Sequence, residues 1–197
     1  MAISQQTKLL PFRRRPAGKK YELVFSDSRL IHDPVRREDI TVYRIRALRP
    51  VGLRARKNDL GGYVQSLDNL SQEGDAWLAD EACATGNSRI WGQAWVGENA
   101  ILRDQAWAFE DACVYGHGAL GGATRVFGQS RVYGNTIVAG DTLISGHAII
   151  RDHAHVLGRC WVSGAARVGG DCWLAGSQIL TEGDWHGDPT IPVDRRA

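Results

Sequence analysis

Long apolar runs are missing from this chain. No stretch approaches the ~20 consecutive apolar residues that a membrane-spanning helix requires, so a membrane partner is not expected. The opening residues, MAISQQTKLLPFRRR, lack the apolar h-region of a secretory signal, and a cytoplasmic location is the expectation. Charge of one sign is also lacking: 24 Lys and Arg stand against 22 Asp and Glu, a net charge of +2. That balance gives no chain-wide attraction to nucleic acid. Cysteine is sparse. Cys83, Cys113, Cys160 and Cys172 form no C-x-x-C pair and no zinc spacing, so free thiols are expected and no metal ligand set is. Proline is ordinary at 6 residues, whereas glycine is abundant at 23.

The glycines belong to a repeat. From Leu78 to Leu180 an index residue recurs every six positions, eighteen times without interruption, and sixteen of the eighteen are Val, Ile or Leu. Two residues before each index residue stands a small one, from Ala76 to Cys172, with Gln178 the exception. Two residues after each stands Gly, Asp or Glu, and twelve of these are Gly. Three registers held in phase over this length define a repeat architecture.

The period sets the geometry. Alternate residues of a strand face alternate sides, so the index and small residues point inward and their neighbours outward. The remaining positions turn a corner, which Gly or Asp permits. Three sides make an eighteen-residue triangular coil. Eighteen hexads make six coils, or ~29 Å at the ~4.8 Å spacing of paired strands. The predicted fold is all-β: a single-stranded parallel β-helix, a triangular prism of about six regular coils with a small N-terminal β cap.

Residues 1–20 read as a basic flexible arm carrying Arg13, Arg14, Arg15, Lys19 and Lys20. Residues 21–59 read as the cap, with strands over 21–25 and 41–48 and a polar loop from Ser26 to Asp39. The helix proper is assigned to 60–182. Leu60 takes the index register there, and Val64 and Leu70 take the small-residue register. Residues 183–197 read as a polar tail, because His186 falls where an aliphatic is needed. Cys160 and Cys172 should point inward, and Cys83 and Cys113 outward.

Residues eighteen apart stack in columns. One outer face carries Trp91, Phe109 and Phe127, then Ser145 and Ser163, beside Arg89, Trp107, Arg125, Leu143 and Trp161. This aromatic and arginine surface is the leading candidate for binding, since Trp, Tyr and Arg anchor interfaces. A second face carries Trp77 and Trp95 with Tyr115 and Tyr133. The third is mixed: Ile101, Ala119, Ile137, His155 and Trp173 beside Arg103, Gly121, Ala139 and Leu157.

The repeat resembles the left-handed parallel β-helix built from hexapeptide repeats, and the resemblance implies the left hand. Val126-Phe127-Gly128-Gln129, Val132-Tyr133-Gly134-Asn135, the entry Asp59-Leu60-Gly61-Gly62-Tyr63 and the segment Tyr43-Arg44-Ile45-Arg46-Ala47-Leu48 resemble the YdcK-type proteins of enterobacterial and phage-derived genes. The resemblance implies self-association, since proteins of the hexapeptide family mostly form trimers; a homo-oligomer, trimer or dimer, is the expectation. The functional expectation is a non-catalytic binding or scaffold module of phage or prophage origin, acting in self-assembly or on a host protein.

The alternative is a hexapeptide-type acyltransferase using acyl-CoA at a subunit interface, with His147 or His153 as the catalytic candidate. Such transferases interrupt the prism with a protruding loop and place Gly, Ala, Asp or Glu one residue after the aliphatic. This chain has no interruption between Ala76 and Leu180, and its glycine sits two residues after the aliphatic. His117 and His153 share a corner column with Asn135, and His155 points outward. The histidine pair four residues apart that marks the zinc-binding γ-type carbonic anhydrases is missing.

Overall fold

A computed structural model describes residues 18–33 and 37–187. The described residues are nearly all β and form a parallel β-solenoid of about seven turns. Three sheets make its sides. Partner strands are eighteen residues apart, as in Arg125↔Trp107, Cys113↔Trp95 and Ala119↔Ile101. Backbone N–H groups of each coil donate to carbonyls of the next, Trp107 N to Thr124 O at 2.8 Å for example. The index residues from Leu78 to Val168 and the small residues between them fill the interior and are buried. A one-residue slip would turn this whole set outward, so the buried face holds the register.

Each corner turns on a residue with positive φ. Glycine takes most of these positions, and Asp80, Glu98, Asp104, Glu110 and Asp152 take five of them at φ between 55° and 63°. At Gly134, φ is 83° and an added Cβ would lie 2.6 Å from Asp152 O of the next coil, so both conformation and space demand glycine there. The five acidic residues bring a compensation. The N–H of a corner residue has no place in the coil-to-coil ladder, and the carboxylate one coil earlier accepts it. Glu98 N donates to Asp80 Oδ2 at 2.9 Å, Gly116 N to Glu98 Oε2 at 3.0 Å, Gly122 N to Asp104 Oδ2, Gly128 N to Glu110 Oε2 and Gly170 N to Asp152 Oδ2, each of these three at 2.9 Å. Acidic residues therefore suit a position whose steric preference is glycine.

Hydroxyls in the small-residue register pair with the carbonyl three residues back. Thr124 Oγ1 donates to Gly121 O at 2.8 Å, Ser130 Oγ to Phe127 O at 2.7 Å and Thr142 Oγ1 to Ala139 O at 3.0 Å. Thr136, in the same register and fully buried, has no partner for its hydroxyl among the described residues.

The N-terminal unit differs from the expected pair of short strands. β1 (Tyr21–Asp33) and β2 (Glu38–Ala47) form one antiparallel hairpin, and β3 (Leu60–Val64) joins it to the first side of the prism. The segment expected as a loop from Ser26 is mostly strand; its polarity reflects exposure on an edge strand. Phe25–Asp27 bulge out of register between Val24 and Ser28. The bulge carries Asp27 to the Arg44 guanidinium at 3.2 Å and to the Tyr63 hydroxyl at 3.1 Å. Tyr63 in turn lies between the guanidinium groups of Arg29 and Arg44, at 3.9 and 4.3 Å from its ring centre. Both arginines reach Glu81 at 2.9 Å, which locks the hairpin to the prism.

That lock buries two residues expected on the surface. Trp77 is only 1% exposed, beneath Ile45 and β3. An added Cβ at Gly61 would lie 2.8 Å from the Trp77 ring, so the glycine lets the β3 backbone run close over it. Cys83, also expected outward, is covered together with Ile40, Val42 and Tyr63. Burial pushes its thiol up to about 11, against the opposing pull of Arg29.

The first coil is longer than the rest. Val64 pairs with Ala84 and Leu70 with Ile90, twenty residues apart, because eight residues rather than six separate Leu70 from Leu78. Val64 and Leu70 are therefore index residues, and Leu60 is exposed rather than inward. At the other end Val168 pairs with Trp185, seventeen residues on. A five-residue step puts Trp185 into the index place that His186 does not fill, and the solenoid continues to His186.

Lys20 is buried and belongs to the cap rather than to an arm. First-coil carbonyls have no preceding coil to donate to them, and the segment at Lys20 and Tyr21 supplies the donors. Lys20 Nζ donates to Ala76 O at 2.8 Å and Glu73 O at 3.3 Å; Tyr21 Oη donates to Leu70 O at 2.7 Å and Leu67 O at 3.0 Å. Desolvation, aided by Arg49, lowers Lys20 to about 8.

Candidate functional site

Six strands build the arginine and aromatic side of the prism: Arg89–Ile90, Trp107–Ala108, Arg125–Val126, Leu143–Ile144, Trp161–Val162 and Ile179–Leu180. The residue before and the residue after each buried index position point outward. In one column, Trp91 stacks on Phe109 with ring centres 4.4 Å apart and planes 3° from parallel, and Phe109 stacks on Phe127 at 4.9 Å and 6°. In the neighbouring column, Trp107 meets Trp91 edge-on at 5.3 Å and Arg125 lies over the Trp107 ring at 4.9 Å. Each ring pair contributes about 0.5–1.5 kcal/mol, and a cation over a ring at such an exposed site about 0.5–1 kcal/mol.

The four rings remain partly exposed, so stacking alone does not hide them from water. The ladder stops at Phe127, since Ser145 and Ser163 follow in its column. Beyond it the same side still exposes Trp161 by 47% and Ile179 by 68%.

The first coil changes the head of this ladder. Leu67–Asn69 is a 3-10 turn rather than a strand, capped by the Ser66 hydroxyl. Only Leu70 bridges to Ile90. Where a ring would sit above Trp91, the chain places Ser71. A cleft of about 450 Å3 results, lined by Leu67, Asp68, Ser71, Gln72, Arg89 and Trp91, with Leu70 and Ile90 at its floor. Sequence reasoning marked Arg89 and Trp91 but not Leu67, Asp68 or Ser71. The small residue at 71 is legible as a gap only once the first coil is known to span twenty residues.

On the second side, Tyr115 and Tyr133 stack at 4.9 Å and 6°, and Trp95 leans over Gly97 to meet Tyr115 at 5.8 Å. Burial first, then the Tyr133 neighbour, raises the Tyr115 hydroxyl. The third side exposes Ile101, Ile137 and Trp173, with His155 against the Trp173 ring at 5.0 Å.

The histidines stand apart from these features. His147 is exposed at its corner. His153 is exposed between Asn135, whose Nδ2 lies 3.2 Å from its Nε2, and Asp171, 3.8 Å from its Nδ1. The cleft beside Trp91 and a second one of about 390 Å3 around Pro50 and Arg54 are lined by neither histidine. Among the described residues no group of three His, Cys, Asp or Glu side chains is placed to hold a metal ion, and no helix is long and apolar enough to cross a membrane. Arg13, Arg14 and Arg15 lie outside the described residues; Lys19 is exposed.

The architecture places the chain in the class of parallel β-solenoids. A scan against protein-family models finds no match, and a search of curated proteins finds no relative.

Proposed function

We propose that this protein is a non-catalytic binding or scaffold module that works through its arginine and aromatic side. The observation that carries the reading is the partly exposed ladder Trp91–Phe109–Phe127 with Trp107 and Arg125 beside it. A contiguous, partly exposed apolar patch held flat on a sheet is the form of a docking surface. Its ring and guanidinium chemistry is that of interface anchors. Self-assembly into a dimer or trimer is the simplest use, and capture of a host protein the other. The likeness to YdcK-type hexapeptide proteins, with a phage or prophage origin, is part of the same proposal.

The test is Trp107→Ala and Phe109→Ala, each checked by circular dichroism and by mass from light scattering. Both variants should keep the β spectrum and lose the oligomer or complex. A wild-type assembly that both variants leave intact sinks the proposal. The acyltransferase alternative draws on the placing of His153 between Asn135 and Asp171. It requires acyl-CoA binding, which calorimetry with a CoA thioester at millimolar concentration measures directly.

A further inference from the structure

We infer that the cleft at the head of the ladder is a socket for one aromatic side chain of a partner protein, carried next to an acidic residue. The inference rests on the reading of this side as a docking surface and names the anchor that its partner brings. Two observations carry it. The first is an interrupted stack. Phe109 and Phe127 continue the pile below Trp91, but among the described residues no ring covers the opposite face of Trp91. The cleft of about 450 Å3 lies there because Ser71 is too small to fill it. A planar ring entering this space continues a stack whose spacing and tilt the solenoid already sets, and the rigid platform spares much of the ordering cost of binding.

The second is charge. Arg89, on the rim, donates to the backbone carbonyl of Asp68 at 3.2 Å and meets no carboxylate within ion-pair distance among the described residues. Its remaining donors suit an anion beside the entering ring. Leu67, 46% exposed on the opposite rim, offers apolar contact to the ring edge. The socket opens onto the face that carries Trp107 and Arg125, so an anchor seated in it and a surface laid over the ladder belong to one contact.

The experiment titrates the acetylated, amidated tripeptide Asp-Trp-Asp into isotope-labelled protein and follows amide and indole resonances. The expected result is a dissociation constant on the order of 1 mM, as befits a probe of this size, with shifts confined to residues around Ser71, Arg89 and Trp91. Arg89→Gln should weaken binding several-fold, and Trp91→Ala at least about tenfold. Ser71→Trp fills the socket from within; it should abolish binding while leaving the melting temperature unchanged or raised. It gives up the Glu73 N bond to Ser71 Oγ, 3.0 Å long, so its fold is checked by circular dichroism.

No shift at 10 mM peptide, or binding that Ser71→Trp leaves intact, overturns the inference. So does the result that adenosine monophosphate, titrated in parallel, occupies the site and the peptide does not; the cleft is then a nucleotide site. A peptide that fails while Trp107→Ala still disrupts assembly refutes the socket alone. An assembly indifferent to Trp107→Ala refutes the wider docking surface.

Discussion

The corner carboxylates yield an ordering of variants opposite to the usual one. Glu110 sits at φ 55° and its Oε2 accepts from Gly128 N at 2.9 Å. Glu110→Ala removes that bond and keeps the left-handed backbone. A hydrogen bond to a charged acceptor is worth about 1.5–3 kcal/mol where it is shielded; Glu110 is exposed, and water replaces part of the loss, leaving about 1 kcal/mol. Glu110→Gly loses the same bond but relieves the left-handed conformation, worth about 1–2 kcal/mol. The greater freedom of the unfolded glycine chain returns about 0.4–1 kcal/mol of that. The glycine variant should therefore exceed the alanine variant by roughly 1 kcal/mol and lie close to wild type. Glu110→Gln keeps an oxygen acceptor and should fall between wild type and alanine. Urea denaturation followed by far-ultraviolet circular dichroism measures all three, provided the slopes agree. An alanine variant as stable as the glycine variant, or more so, refutes the account of why acidic residues occupy these corners.

Other outcomes follow from individual residues. Thr136→Val removes a buried hydroxyl that has no partner among the described residues and should stabilise the protein by about 1 kcal/mol, read as a higher denaturation midpoint. Thr142→Val, which loses a bond to Ala139 O, should do the opposite. Lys20, lowered from 10.5 to about 8, binds fewer protons folded than unfolded between those values, so stability should rise as pH climbs past 8. Cys83, raised from 9.0 to about 11, opposes this rise above pH 9 and levels the profile while both groups titrate. The expected gain by pH 9 is on the order of 1 kcal/mol. Lys20→Met should flatten that rise, and an unchanged profile would exclude Lys20 as its source. Gly97→Ala should displace the Trp95 ring, since an added Cβ would lie 2.8 Å from its Cη2 atom; a shift in tryptophan emission reports it.

Much of the candidate site is legible in the sequence. Stacking follows from an eighteen-residue coil, and Arg89, Trp107 and Arg125 do lie in one column, with Trp91, Phe109 and Phe127 in the next. Trp77 was missed for a reason that periodicity does not carry. Its place in the repeat is outward, and a hairpin from outside the repeat covers it. Cys83 fails in the same way. Val64 and Leu70 lie two positions out of phase with a strict count of sixes back from Leu78, because the first coil holds two extra residues. His186 looked like the end of the pattern, although a step one residue shorter delivers Trp185 to the same place.

The residues themselves determined the period, the inward and outward alternation, and the corners. Each depends on interactions within a few positions: strand alternation, side-chain volume, and the backbone freedom of glycine. Tertiary structure decided what happens where the repeat meets something that is not a repeat. The hairpin converts an outward tryptophan into core, and Lys20 and Tyr21 supply donors that a missing coil would have given. A twenty-residue first coil sets Ser71 above Trp91 and leaves a cleft at the head of the ladder. Contacts between segments some fifty residues apart, such as Lys20 with Ala76, leave no periodic trace, so the aromatic ladder is readable from spacing and the cleft at its end is not.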